Sequence, residues 1–496
     1  MNRILVLLFT GFLFASFTVR TEAQAVKKVM TLDEVIKVAE DQSPSALIAK
    51  HRFRASYWQY RSFKAQYLPS LTLTGTVPDF FNGLERVWDS RDTAWKYFAT
   101  NTVSSTGSLS LSQAIGPLGT VISLSSDLTL YKDIEKNLPV NYITNPVSIN
   151  INQPIRRYNT LKWQAKIEPL LYEMAKKEYL NTIEEVHMNA VQNFFMLALA
   201  QINKQIAEMN YSNADTLYRI AQGRYQLGTI AEDDLLQMQL SFLNAETARK
   251  QAEMNLRDRQ IRLASFLGYN ENVEIELIIP SEIPNLQVDT QEVLELALKN
   301  NPDIINQRIN TLNAQSSLAQ ARTNRGLTAT MIASIGFKQQ NTDFLQAYQN
   351  LSQSQRVRIG LTIPILDWGQ AKGRYKMALS SLELAEVQEK QAMSNFQQNL
   401  FLDVAQFNLQ AEQVAIAAKS DTVAMRRYEV TKARFLIGKI SVLDLNDADA
   451  RKDTNRRAYI QALQQYWTYF YNIRALTLYD FINRKPIEVD FEKLLL

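Results

Sequence analysis

Acidic residues bunch at one point of the chain, where Asp444, Asp447 and Asp449 fall within six residues, and Asp234 stands in a matching context farther upstream. A calcium loop would need a Gly and a terminal Glu that Asp444-Leu-Asn-Asp447-Ala-Asp449 lacks. Glu184-x-x-His187 has the spacing of a di-iron ligand pair, yet the only other histidine, His51, follows no Glu at that distance. With no Cys there is no thiolate site, redox motif or catalytic thiol. GxSxG, P-loop and Rossmann fingerprints are also missing. The expectation is no metal, no cofactor and no enzyme. Carboxylates gain another chemistry when copies of a chain surround an axis, because each then becomes a ring. Such a ring in a narrow mouth concentrates cations, and like-charge repulsion raises the pKa of its members.

The elements around these carboxylates read as helix hairpins. Arg224-Tyr-Gln-Leu-Gly228 precedes Asp234-Leu235, and Arg434-Phe435-Leu-Ile-Gly438-Lys439 precedes Asp444-Leu445. Gly228 and Gly438 sit where a helix must stop and reverse, a position that favours the left-handed backbone and therefore Gly. Ser441 with Asp444, and Thr229 with Glu232, have the spacing to cap the return helices. The pattern predicts very long helices leading to these turns, over Gly369–Ile437 and Asn159–Tyr225, with a kink or restart near Pro169. Leu400, Val404, Phe407, Ala411, Val414 and Ala418 keep the 4-3-4-3-4 spacing of a coiled-coil seam. Shorter return helices are expected over Ala231–Phe266 and Val442–Leu478. The aromatic run Tyr466-Trp467-Thr468-Tyr469-Phe470-Tyr471 reads first as core packing.

The hairpins recur because the chain repeats itself. Thr31–Pro44 resembles Thr290–Pro302, with Glu34, Val35, Ala39 and Pro44 each 258 positions before Glu292, Val293, Ala297 and Pro302. The tip segments, and Pro154-Ile155 with Pro364-Ile365, share an offset of 210, so the first copy carries 48 extra residues between Pro44 and Pro154. Residues 26–279 read as the first repeat, 280–289 as a Pro-rich linker, 290–480 as the second repeat and 481–496 as a tail. Ahead of them, Asn2 and Arg3, an apolar run from Ile4 to Phe17 and Ala23-Gln24-Ala25 read as a signal peptide over residues 1–25. No later stretch is apolar enough for a spanning helix. The 496 residues, with a net charge of +4 spread evenly, give no footprint for nucleic acid.

Each copy opens with a helix, over Thr31–Tyr67 in the first, where Thr31-Leu-Asp-Glu34 makes a capping box. The period then becomes two. Leu68–Gly75 reads as a strand, followed by a loop over Pro78–Asp92 and further strands at Leu109–Gln113, Val121–Ser125 and Val147–Gln153. Gly116-Pro-Leu-Gly119 is the turn between two of them. The second copy offers Met331–Phe337 and Val357–Ile363 around an outer loop over Lys338–Arg356. Ser, Thr or Asn alternate with Leu, Val or Ile, as in a wall with water on one side and lipid on the other. A membrane tolerates no open sheet edge, and closure needs at least about eight strands. Two strands per copy, or up to six per chain if the insert enters the wall, are too few. Several chains must each supply a sector.

An exported duplication of helix, strand, loop, strand, long helix, tip and return helix resembles the TolC-like outer membrane factor family. The tip motifs and the segments Gln153-Pro154-Ile155 and Ile363-Pro364-Ile365-Leu366-Asp367-Trp368-Gly369 carry the likeness over nearly the whole mature chain. The resemblance implies a mainly α protein with a membrane β portion. Its homotrimer would have a twelve-stranded barrel in the outer membrane, continuous with a coiled-coil tunnel across the periplasm to an adaptor and an inner-membrane pump. It implies passive, gated passage of drugs, small toxic molecules or polypeptides through a Gram-negative-type envelope. Acidic positions matching Asp444 and Asp447 would line the periplasmic entrance, with Phe435 and a basic residue helping to hold it shut. The family's basic residue would fall at Ile440, and Lys439 stands beside it instead. The 48-residue excess has no place in the minimal pattern, and the lack of Cys excludes the lipidated subgroup. A periplasmic coiled-coil adaptor or scaffold would share the signal peptide and hairpin helices, but such proteins pair one helical hairpin with separate β-domains.

Overall fold

A computed structural model describes residues 26–90, 92–134, 138–269, 273–280, 282–437 and 439–495. Residues 1–25, read from the sequence as a signal peptide, and Gly438, read as the second tip glycine, lie outside these residues. The chain divides into two compact units. One comprises residues up to Pro44, Val186–Ile283 and Val414–Gln465; the other comprises Ser45–Glu185, Pro284–Gln413 and Tyr466–Leu496.

In chain order the elements begin with β1 (Val26–Met30), α1 (Leu32–Gln42) and α2 (Pro44–Ala65). The strands β2 (Ser70–Asp89), β3 (Ala94–Ile115), β4 (Thr120–Asp133) and β5 (Asn141–Arg156) come next, then α3 (Thr160–Gln226), α4 (Glu232–Phe266) and β6 (Val273–Leu277). After the linker come α5 (Thr290–Asn300), α6 (Pro302–Asn324), β7 (Thr328–Asn341), β8 (Ser352–Thr362), α7 (Gln370–Leu436) and α8 (Val442–Thr477), with the short strands β9 (Tyr479–Asp480) and β10 (Lys485–Pro486) last.

Helix boundaries follow local chemistry. Thr31 and Glu34 form the expected reciprocal cap of α1. The single helix expected over Thr31–Tyr67 breaks at Ser43, whose backbone is extended ahead of Pro44. Asn301 and Pro302 repeat that break, Asn301 accepting from the Asp303 N–H at 2.8 Å. α3 and α7 each run 67 residues, roughly 100 Å at the usual rise. Pro169 lies inside α3, which neither ends nor restarts there. Its missing N–H removes a single bond, and the turns on either side stay helical. In α7 the seam residues Leu400, Val404, Phe407 and Val414 are buried.

The unit that contains Ser45–Glu185 carries a six-stranded antiparallel sheet in the order β2-β3-β4-β5-β7-β8. A barrel of twelve strands takes four from each of three chains, and this sheet has six. β2 follows α2 as β7 follows α6, and β5 precedes α3 as β8 precedes α7, so β3 and β4 have no counterpart in the second copy. Two strand ends also differ from expectation. Pro78–Asp92, read as a loop, is mostly the second half of β2, which stays paired to β3 as far as Asp89 opposite Ala94. A register shift between Thr76 and Asp79 absorbs Pro78 in β2. The outer loop of the second copy shrinks to 342–351 because β7 extends to Asn341 and β8 starts at Ser352.

The sheet inverts the burial pattern of a soluble protein. One rung, Leu71–Leu111–Leu124–Ile149–Ile335, is made of exposed apolar side chains from β2 to β7 and ends at Gln355 on β8. The next rung, Ser70–Ser112–Ser123–Asn150–Ser334–Arg356, faces the other way and is polar throughout. Ser70 and Ser112 share a hydroxyl hydrogen bond at 3.0 Å, and Asn150 donates to Ser125 Oγ at 3.3 Å. Contiguous exposed Leu and Ile on one face, with bonded hydroxyls on the other, suit lipid outside and water inside.

The aromatic run of α8 is core. Tyr466, Phe470 and Tyr471 are buried, and Tyr466 packs against Phe407 with ring centroids 5.6 Å apart. The Tyr466 hydroxyl donates to the Pro284 carbonyl at 2.6 Å, which pins the linker to α8. In the same unit Arg474 clamps the buried Glu184 with two hydrogen bonds of 2.9 Å and reaches Asp480 at 3.0 Å. Glu184 therefore serves an ion pair, and no group of metal-ligating residues occurs among the described residues. In the other unit β1 and β6 pair in parallel, joining segments 247 positions apart, from Val26↔Val273 to Met30↔Leu277. The periodicity gave no sign of this pairing.

Candidate functional site at the helix tips

Both long helices end in a turn that is closed by the same longer backbone contact. At the first tip Gly228 has φ +70° and its N–H donates to the Tyr225 carbonyl at 2.9 Å, while the Thr229 N–H returns to the Arg224 carbonyl at 2.9 Å. This is the paired closure of a Schellman turn, in which the left-handed residue is cheapest as Gly. At the second tip the Lys439 N–H bonds to the Arg434 carbonyl at 3.0 Å, the equivalent contact 210 positions on. The contribution of Arg224 and Arg434 to the turns is thus their carbonyl oxygens. Lys439 itself is exposed.

The two return helices start differently. Ser441 and Asp444 form a reciprocal box. Asp444 N–H donates to Ser441 Oγ at 3.2 Å, and Asp444 Oδ2 accepts from the Ser441 hydroxyl at 2.7 Å and from its N–H at 3.2 Å. The matching cap expected from Thr229 and Glu232 does not form. Thr229 turns its hydroxyl back to the Arg224 carbonyl at 2.9 Å, and α4 starts after Ala231 with no side-chain cap. The acidic first turn Glu232-Asp233-Asp234 faces the positive end of the helix dipole there.

Asp447 is the most heavily engaged of the predicted carboxylates. Arg427 on α7 approaches it at 2.8 Å and Arg451, one turn along α8, at 2.9 Å. Hydrogen bonds from Arg427 and Arg451 hold its carboxyl below the ordinary value. Within one chain its environment is therefore the reverse of a like-charge ring. Phe435 packs on a small cluster of Tyr428, Leu445 and Ala448, together with Leu217. Just above, the nearly buried Lys452 bonds to Asp449 at 2.5 Å and lies 3.3 Å from Asp453. Its ammonium also sits 4.1 Å from the Tyr428 ring centre. Burial by itself would lower the Lys452 pKa, but the hydrogen bond and charge of Asp449 outweigh it and raise the value. Asn213 of α3 donates to the Tyr428 hydroxyl at 3.1 Å, and Asn210 to Asp453 at 2.9 Å, so α3, α7 and α8 are tied by polar bonds.

The structure brings Phe435, Leu445 and the Asp447 pairs into one neighbourhood, and leaves Asp234 and Asp444 exposed at the starts of two different helices. Sequence reasoning missed Arg427, Arg451 and Lys452. The i, i+4 spacing of Asp447 and Arg451 was readable. The contact of Arg427 with Asp447 depends on how α7 and α8 pack.

Residues 137–269 and 293–477 match the family described as outer membrane efflux protein. The chain belongs to that family, and it is an outer membrane efflux channel component that extends into the periplasm. The family match sets aside the adaptor or scaffold reading. No curated protein matches the sequence. Among solved structures, the fold is similar to the CmeC outer membrane channel of Campylobacter jejuni, with a TM-score of 0.64 and 16% identity over 93% of this chain and 88% of that one. It is also similar to the outer membrane protein VceC of Vibrio cholerae, with a TM-score of 0.64 and 13% identity over 92% and 97% of the two chains. The open state of the MtrE outer membrane channel of Neisseria gonorrhoeae matches with a TM-score of 0.51 and 15% identity over 92% and 91%.

Proposed function

We propose that three copies of this chain form a passive, gated duct that receives cargo from a periplasmic adaptor and inner-membrane pump and releases it outside the cell. The observation that carries this reading is the open six-stranded sheet, apolar on one face and hydroxyl-rich on the other. In lipid such a sheet is stable only when its edges meet other strands, and copies of the same chain provide them. The two successive helix–strand–helix repeats, over residues 26–279 and 290–480, give each copy two hairpin tips.

The tips form the periplasmic entrance in this reading. Asp234, Asp444 and Asp447 line it, and Phe435 and Lys439 stand beside its narrowest part. Arg224, Gly228, Arg434 and Gly438 set the two turns. Opening is an iris-like loosening of α7 against α8 and α3 when the adaptor docks. The bonds that must give way are those of Arg427 with Asp447 and of Asn213 with Tyr428.

Membrane fractionation followed by planar-bilayer recording tests the reading. The protein should need detergent for extraction from the outer membrane and should form channels whose open probability rises when Arg427 is replaced by Ala. Recovery from the soluble periplasm, or membranes that stay electrically silent with native and Arg427→Ala protein alike, would refute it.

A further inference from the structure

We propose that β3 and β4 are full members of the membrane wall, so that three copies of this chain close a barrel of eighteen strands, six from each. The inference rests on the trimeric reading above but makes a separate claim about the wall. It commits the two free sheet edges to one partner, a second copy of the same chain.

Three observations support it. First, the apolar rung Leu71–Leu111–Leu124–Ile149–Ile335 passes through β3 and β4 without a break, and Leu111 and Leu124 are as exposed as Ile149 and Ile335. A hairpin folded away from the wall would have no reason to keep apolar residues in step with its neighbours. The polar rungs keep step as well, Thr72–Ser110–Ser125–Ser148 on one line and Ser70–Ser112–Ser123–Asn150 on the other. Second, β3 and β4 stay paired over fourteen positions, from Thr102↔Asp133 to Ile115↔Thr120, longer than the roughly 9–11 residues a tilted strand needs to cross. Third, their turn is tied to the helical end of the sheet. Asn159, next to the start of α3, donates to the Gly116 carbonyl at 2.9 Å and to the Pro117 carbonyl at 3.2 Å. Both strands therefore traverse the same layer as β2 and β5.

Among the described residues β2 pairs only with β3, and β8 only with β7. Strands left in that state cannot persist at membrane depth, and a ring of three copies joins each β8 to the β2 of the next. Barrel diameter grows roughly in proportion to strand number, so eighteen strands give a wall about 1.5 times as wide as twelve, in the range where porins keep an aqueous channel.

The absence of native Cys makes single-cysteine labelling clean. In outer membranes, Ser110→Cys on β3 should react with a water-soluble maleimide through the lumen, whereas Leu111→Cys should react only with a lipid-soluble one. Arg358→Cys and Ile359→Cys on β8 serve as the reference pair. Equal aqueous labelling of positions 110 and 111, with the β8 pair still alternating, would put the hairpin outside the wall and overturn the proposal while leaving the membrane reading intact. A cryo-electron microscopy map of the native particle needs no variant. Eighteen strands are expected, and a threefold particle with twelve would overturn the proposal. A particle without threefold symmetry would overturn the trimeric reading beneath it.

Discussion

Asp447 on α8 receives two arginines, Arg427 from α7 at 2.8 Å and Arg451 from its own helix at 2.9 Å, so a single carboxylate bridges the two arms of the second hairpin. The pair lies at a half-exposed position, where an isolated ion pair contributes little to overall stability. Its effect is local and concerns how tightly α7 and α8 are held together near the tip.

The pH dependence of that bridge has a definite sign. The two arginines depress the Asp447 pKa below the ordinary 3.8. The bridge is complete above that value and is lost as pH falls through the depressed pKa. Channel conductance should therefore be flat with respect to this group from neutral pH down to about 4, while Arg427→Ala should conduct more at neutral pH. Bilayer recordings of both proteins between pH 3 and pH 7 would show it. Native-like conductance of the variant at neutral pH would exclude the bridge from closure.

Selectivity should separate the two neighbouring carboxylates. Asp444 accepts from Ser441 and caps a helix, whereas Asp447 balances two guanidinium groups. Asp444→Asn with Asp447→Asn should weaken cation selectivity, and of the two single substitutions Asp447→Asn should have the larger effect because it leaves Arg427 and Arg451 uncompensated. Ser441→Ala should cost the helix about 1 kcal/mol with selectivity unchanged. Reversal potentials in a salt gradient measure this; identical values for native and doubly substituted protein would remove both carboxylates from the conduction path.

Away from the tip, Tyr466 offers an alkaline signature. Burial pushes its hydroxyl from the ordinary 10.0 up to about 12. A raised folded-state pKa gives stability that is complete below pH 10 and is lost as pH rises toward about 12. Tyr466→Phe should lose about 1 kcal/mol at neutral pH, from the bond to the Pro284 carbonyl, and should decline less between pH 10 and pH 12. Thermal unfolding in detergent across that range reads both effects.

The Arg474–Glu184 pair should behave as a buried clamp. Burial alone would lower the Arg474 pKa, and the hydrogen bonds and charge of Glu184 outweigh it. Arg474→Met strands the Glu184 carboxylate, which is 1% exposed, and should cost about 3–5 kcal/mol. Arg474→Met combined with Glu184→Leu should recover much of that loss. Failure of the double variant to recover would mean that Arg474 acts through its pair with Asp480 or through packing on Phe470 and Tyr471, whose ring centres lie 5.6 and 5.3 Å away.

Features set by neighbours along the chain were legible in the sequence. The Thr31–Glu34 box, the tip turn at Gly228, the long helices and the Gly116–Gly119 turn each depend on residues within one or two turns, and all four are present. What depends on distant pairing was not legible. Asn82, Gly83 and Asp89 suggest a loop on composition, yet pairing with β3 holds them in β2. The β1–β6 pairing joins segments far apart in sequence. At the candidate site the carboxylates were found by spacing, but Arg427, twenty positions before Asp447, meets it only because the hairpin folds. The strand count followed the same rule. Alternation marked parts of β3 and β4, and only their shared register with β2 and β5 assigned them to the sheet.

End-on electron microscopy of detergent-extracted native protein, returned to lipid nanodiscs, would show whether copies of the chain enclose a shared lumen. Averages should show a threefold ring with an open centre. A stable single chain in lipid, or a filled bundle without a lumen, would contradict it.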